Sequence, residues 1–156
     1  MSYVVTGLSP DPFRHLFGLS ETALAAAGVI RMTADEKPGF PCRISLEDAE
    51  PGETVLLLNH EYQGADTPYR GRHAIFVRES DRPAAHFENE IPEQLCVRLL
   101  SVRAFDAQGM MRDADVVEGV DLEPLIQRLL ADSQTAYLHV HNARRGCYAA
   151  RIERAV

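Results

Sequence analysis

The chain of 156 residues is nearly devoid of lysine: of sixteen basic residues only Lys37 is Lys, and fifteen are Arg. Cysteine is scarce too. Cys42, Cys96 and Cys147 are odd in number, widely spaced and without a C-x-x-C pair. That excludes a disulfide framework and predicts reduced thiols in a cytoplasm. Long apolar runs are missing, with stretches such as Val55–Leu58 among the longest, so nothing is long enough to span a bilayer. The N-terminal MSYVVTGLSPDPFRHL lacks a basic start followed by an apolar run, so no signal peptide is expected. A Walker loop, a dinucleotide G-x-G-x-x-G, H-E-x-x-H and G-x-S-x-G are all absent.

What remains is an ordinary globular composition, 46% hydrophobic and 25% charged. Area scaling for this size predicts about 7,800 Å² of folded surface, with about 69% of the unfolded surface buried, enough for a core without staples or metal. The net charge of −7 argues against a nucleic-acid binder or a polybasic membrane anchor. The cations are nevertheless bunched: Arg groups concentrate in Arg70–Arg82 and Arg144–Arg154, while six acids against one Arg occupy Asp106–Glu123.

Along the chain, Tyr3–Leu8 is β-rich and is broken by Ser9-Pro10-Asp11-Pro12. Ser20 opens a helix that stops at Gly28. Val29–Thr33 and Cys42–Leu46 read as short strands around an irregular Asp35–Pro41 loop, in which Phe40-Pro41 can set a cis bond or a tight bend. Glu47–Glu53 is an acidic turn about Pro51-Gly52. TVLLLN at Thr54–Asn59 has the pattern of a strand buried on both faces. Gln63–Arg72 and Glu79–Asn89 read as loops flanking a strand at His73–Arg78, and Pro92 opens a short helix. Val97–Phe105 and Met110–Val117 form a hairpin. Asp121 is placed to cap a helix to about Ala131, whose Leu122, Leu125, Ile126 and Leu129 share one stripe. A closing hairpin spans Thr135–His141 and Cys147–Glu153. The prediction is a single α+β domain over residues 1–156: a mostly antiparallel sheet of about eight strands with two or three helices.

The closing hairpin carries the most chemistry. Alternation puts Tyr137, His139 and His141 on one face and Leu138 and Val140 on the other. If Tyr148, Ala150 and Ile152 join the apolar face, even positions pair with even ones. A three-residue loop Arg144-Arg145-Gly146 with a left-handed Gly146 satisfies that parity and sets His139, His141 and Cys147 together, with Arg151 nearby. Two His and a Cys can ligate zinc, a Cys beside a His can be a nucleophile–base pair, and imidazoles can simply pack under a helix. Arg144, Arg145, Arg151 and Arg154, opposed only by Glu153, favour an anionic partner.

Other groups are weaker candidates. Tyr69 and Arg70 in Thr67-Pro68-Tyr69-Arg70 can position a guanidinium for a carboxylate or phosphate, against the simpler reading of an ion pair with the acidic turns. Asp113 and Asp115 on one strand face can hold Mg²⁺ or Ca²⁺ but read as a solvated edge. Cys42 and Cys96, among apolar neighbours, read as core.

The segments DEKPGFPCRISLEDAEPGETVLLLNHEY, TPYRGRHAIFVRE, RAFDAQGMMRDADVVEG and HVHNARRGCYAARIERA together resemble the bacterial family called domain of unknown function 1203, over nearly the whole chain. The resemblance implies a small bacterial cytosolic protein of one domain and implies no activity, so it assigns no catalytic residue. The functional expectations rest on the residues alone. The first is a protein that binds a small anionic molecule, with or without catalysis, through His139, His141, Cys147, Arg144 and Arg151, with Tyr69 and Arg70 as further ligand contacts. The second is a non-catalytic homo-oligomeric or protein-interaction module, and the third a zinc protein ligating through His139, His141 and Cys147. No cofactor is required by the sequence.

Overall fold

The structure, a computed structural model describing residues 1–156, follows the hydrophobic alternation into two antiparallel sheets. In chain order the elements are β1 (Tyr3–Thr6), α1 (Glu21–Ala26), β2 (Ile30–Thr33), β3 (Thr54–Gln63), β4 (Gly71–Arg78), β5 (His86–Glu88), α2 (Glu93–Cys96), β6 (Leu99–Phe105), β7 (Met111–Glu118), α3 (Leu122–Leu130), β8 (Tyr137–Asn142) and β9 (Tyr148–Arg154). The large sheet has the order β5-β1-β9-β8-β6-β7 and the small one β2-β3-β4. The folded surface is 7923 Å². No helix is long and apolar enough to cross a membrane.

One face of the large sheet is covered by α3. The stripe Leu122, Leu125, Ile126 and Leu129 is buried, and it packs in one core with Val102, Leu138, Val140, Ala150 and Ile152. Each of the Leu, Ile and Val side chains contributes about 1.5–3 kcal/mol by leaving water. The second core lies on the small sheet. Leu56 and Leu58 of β3, opposite Val77 and Ile75 of β4, bury against Phe13, Leu16 and Leu24 from the N-terminal segment. β3 does not stop at Asn59 as its apolar run suggested. It continues as His60–Gln63 across the other face of the large sheet, where Gln63 Nε2 donates to the Tyr137 hydroxyl at 3.0 Å.

Several local expectations change. Cys42–Leu46 is not a strand: Leu46 N–H closes a turn on Cys42 O at 3.1 Å, and only isolated bridges pair the segment. The reason is its position. Cys42, Arg43, Ile44 and Leu46 are all buried, and the backbone groups of the segment serve different elements, Arg43 N–H donating to Phe76 O at 3.1 Å and Arg43 O accepting from Leu8 N–H at 2.8 Å. The expected Glu79–Asn89 loop contains β5, held antiparallel to β1. The cis peptide is Lys37–Pro38 rather than Phe40–Pro41. Ser20 does cap α1, accepting from Ala23 N–H at 3.1 Å, but the Asp121 side chain caps nothing, because a 3-10 turn over Gly119–Asp121 runs straight into α3.

Candidate functional site

The turn between β8 and β9 decides which face each candidate side chain takes. Asn142 N–H donates to Cys147 O at 2.9 Å, so the loop is four residues, 143–146, not three, although Gly146 is left-handed as expected at φ 82°. With that register His141 lies opposite Tyr148, and a bulge before Ala150 restores His139 opposite Arg151. The corrected parity moves Tyr148 onto the histidine face. It also turns Cys147 to the opposite side, where Asn142 Nδ2 donates to its Sγ at 3.3 Å.

The histidine face is packed, not under a helix but under β3. His139 and His141 are 3% and 0% exposed. They sit among Phe105, Tyr137, Tyr148 and Tyr62, the Tyr62 ring meeting His141 edge-on at 4.8 Å. His141 Nδ1 lies 3.0 Å from Gly146 O, and a carbonyl only accepts, so Nδ1 carries the proton. Its Nε2 then accepts from Arg103 Nη1 at 3.4 Å. Burial, reinforced by nearby arginines, pushes His139 down to about 3 and His141 to about 4. Both rings are neutral interlayer groups and line none of the three principal clefts. Nowhere do three His, Cys, Asp or Glu side chains converge as a metal site requires, so the zinc set His139, His141 and Cys147 is not assembled.

Cys147 belongs instead to a cleft of about 410 Å³ between the 36–41 loop and the 142–147 turn. Arg98, Asn142, Arg144, Arg145 and Glu118 line it with the sulfur. Behind that wall lies Arg43, 1% exposed, whose Nη2 donates to Cys147 Sγ at 3.3 Å and whose Nη1 donates to Gln94 Oε1 at 2.9 Å. It has no carboxylate partner, and its Nε has no partner at all. Asn142 Oδ1 is likewise buried and unpartnered. Burial lowers the Arg43 guanidinium from the usual arginine value, and the Cys147 sulfur acts in the opposite sense. Arg98, also on the cleft, is neutralised by Asp48 at 3.0 Å.

The remaining candidates lie apart. Arg70 is exposed and pairs with Glu61 at 2.8 Å, and the Tyr69 ring leans edge-on toward Phe105 at 6.1 Å. Arg151 covers the Tyr137 ring at 3.9 Å and pairs with Glu153. Asp113 and Asp115 both bind Arg128, at 3.3 and 2.8 Å. Cys42 is buried and accepts from Arg78 N–H, and burial pushes the Cys96 thiol up. Of the C-terminal set, Cys147 meets Arg144 and Arg145 at the cleft, and His139, His141 and Arg151 do not line it. Arg43, Asn142 and Gln94 were missed. The adjacency in HNARRGC was the one available signal for Asn142, whereas Arg43 and Gln94 reach the sulfur only through the tertiary path of their segments.

Fold and cleft together define an α+β protein of one domain, with two antiparallel sheets, a helix on the outer face and an arginine-walled cysteine cleft. Residues 39–154 match the family model described as Protein of unknown function (DUF1203), and the chain belongs to that family. No curated protein and no solved structure matches it.

Proposed function

We propose that the protein binds a small anionic molecule in the cleft beside Cys147. One observation carries this reading. Nine of the fifteen arginines pair with a carboxylate. Of the six that do not, Arg43, Arg144 and Arg145 gather at this one cleft. The other three, Arg72, Arg103 and Arg154, donate to Asn59, His141 and backbone carbonyls. Arg43 is spent on Gln94 and Cys147, so Arg144 and Arg145 are the guanidinium groups left for a ligand whose carboxylate or phosphate suits their planar donors. The neighbouring cleft, lined by Glu47, Asp48, Glu90 and Glu93 with Lys37 as its one cation, is the more acidic of the two and less suited to an anion.

The net charge of −7 supports a small ligand over a nucleic acid. An interaction module has less behind it at β7, one edge of the large sheet, where Asp113 and Asp115 bound to Arg128 set charges against pairing with a second edge. Three free cysteines, one at the cleft, suit a bacterial cytoplasm.

Thermal denaturation with orthophosphate and with citrate, each against sodium chloride at matched ionic strength, tests the reading. At a hundredfold excess over Kd a bound anion adds about 2.7 kcal/mol and raises the midpoint by several degrees. The double variant Arg144→Ala/Arg145→Ala, which alters only exposed loop side chains, is expected to lose that rise. Absence of a shift with both anions, or an equal shift in the double variant, overturns it.

A further inference from the structure

Arg43 is a buried cation with two hydrogen-bond partners, Gln94 and Cys147, and only Cys147 can carry negative charge. A second N–H donor, Asn142 Nδ2, converges on the same sulfur at the same 3.3 Å. Cys147 is partly exposed on the cleft wall, which Arg144 and Arg145 line together with Glu36 and Glu118, and a guanidinium bonded to the sulfur is a mark of reactive cysteines. The other thiols are engaged elsewhere, Cys42 with the Arg78 backbone and Cys96 with Ile91 O, and neither touches Cys147.

We propose that Cys147 is a nucleophile that exchanges with small disulfides carrying carboxylates, which Arg144 and Arg145 seat in the cleft. The proposal rests on the anionic-ligand reading for its choice of substrate, but not for the reactivity of the sulfur. The thiol proton leaves to solvent as the thiolate forms. The Cys147 sulfur then attacks one sulfur of the disulfide, a new S–S bond forms as the old one breaks, and the second thiol departs as its thiolate with the electron pair. With no cysteine in contact to resolve it, the mixed disulfide persists.

The probes are dithiobis(nitrobenzoate), a disulfide bearing two carboxylates, and neutral dithiodipyridine, each followed by the absorbance of the released thiolate or thione. One thiol is expected to react at least about tenfold faster than the other two. Peptide mass mapping is expected to place it at Cys147, and Cys147→Ser to abolish the fast phase. Arg43→Met, an apolar replacement of similar length, should slow both probes about tenfold. If that variant does not fold, Asn142→Ala reads the same charge stabilisation through the second donor. Arg144→Ala/Arg145→Ala should narrow the preference for the anionic probe over the neutral one by about fivefold. An unchanged preference would sink the anionic seat while leaving the nucleophile standing. Cys147 reacting no faster than Cys96 with either probe would overturn the nucleophile itself.

Discussion

Between pH 7 and pH 5 the protein is expected to lose about 4 kcal/mol of stability, half from His139 and half from His141. The folded chain holds both rings neutral, at about 3 and about 4, against an ordinary 6.5. Below 6.5 the unfolded chain takes up a proton at each histidine and the folded chain does not, so the stability is complete above that value and drains away as pH falls toward 4. His60, half-buried and also held down by desolvation, adds in the same direction. Glu79, held at about 2 chiefly by Arg31, and the lowered Glu53 act below this window, their stability being lost as pH falls past the ordinary 4.5 of the unfolded chain. A total stability of about 5–15 kcal/mol cannot absorb such a loss without a large shift in the denaturation midpoint.

The variant that isolates the effect is His139→Leu, close in volume, which also removes an Nδ1 that has no partner. Its stability, measured in urea at both pH values, is expected to fall by about 2 kcal/mol less than that of the parent chain. Parallel losses in the two proteins would show that His139 is not held neutral.

The cause of that acid sensitivity shows which part of the molecule could be read from its residues. The stripe Leu122, Leu125, Ile126 and Leu129 gave α3 and its buried face, because burial at helical spacing is a local property. The alternation of Tyr137, His139 and His141 gave their shared face for the same reason. What covers that face was not local. The polar run His60–Gln63 looks like the end of a strand, yet it continues β3 because Tyr62 and Gln63 find partners in His141 and Tyr137 on a distant hairpin. Cys147 was misplaced by one loop residue and one bulge. The loop residue and the bulge cancel in parity beyond Val140 but not at the turn itself, so Arg151, expected near the histidines, lies opposite His139, while Cys147 takes the other side. The arginine excess was visible at once. Which arginines lack a carboxylate depends on pairs such as Arg98–Asp48 and Arg78–Glu53, separated by tens of residues and joined only by the fold.

Gly7→Ala is expected to destabilise the protein by about 3 kcal/mol or more, as overpacking does where nothing can move aside. A Cβ at Gly7 would stand 2.0 Å from Ile44 O and 3.1 Å from Arg43 O, and both are backbone atoms with no rotamer to change. The contact is tight because β1 and the buried Cys42–Leu46 segment are tied together here, Leu8 N–H bonding Arg43 O at 2.8 Å and Ala85 N–H bonding Ile44 O at 2.8 Å. Gly52→Ala is the control. Gly52 has φ 94° and open space around its missing Cβ, so only conformational strain of about 1 kcal/mol is expected there. For a chain of this length the two variants should therefore differ in melting midpoint by roughly 4–8 °C. An equal loss in both would mean that the backbone near Ile44 yields. The strain in Gly7→Ala falls on the segment that carries Arg43, so whatever of this variant stays folded should also have a slower Cys147, whereas Gly52→Ala should not. Stability and thiol reactivity read on the same two proteins then test whether the approach of Gly7 to Ile44 is what holds the guanidinium against the sulfur.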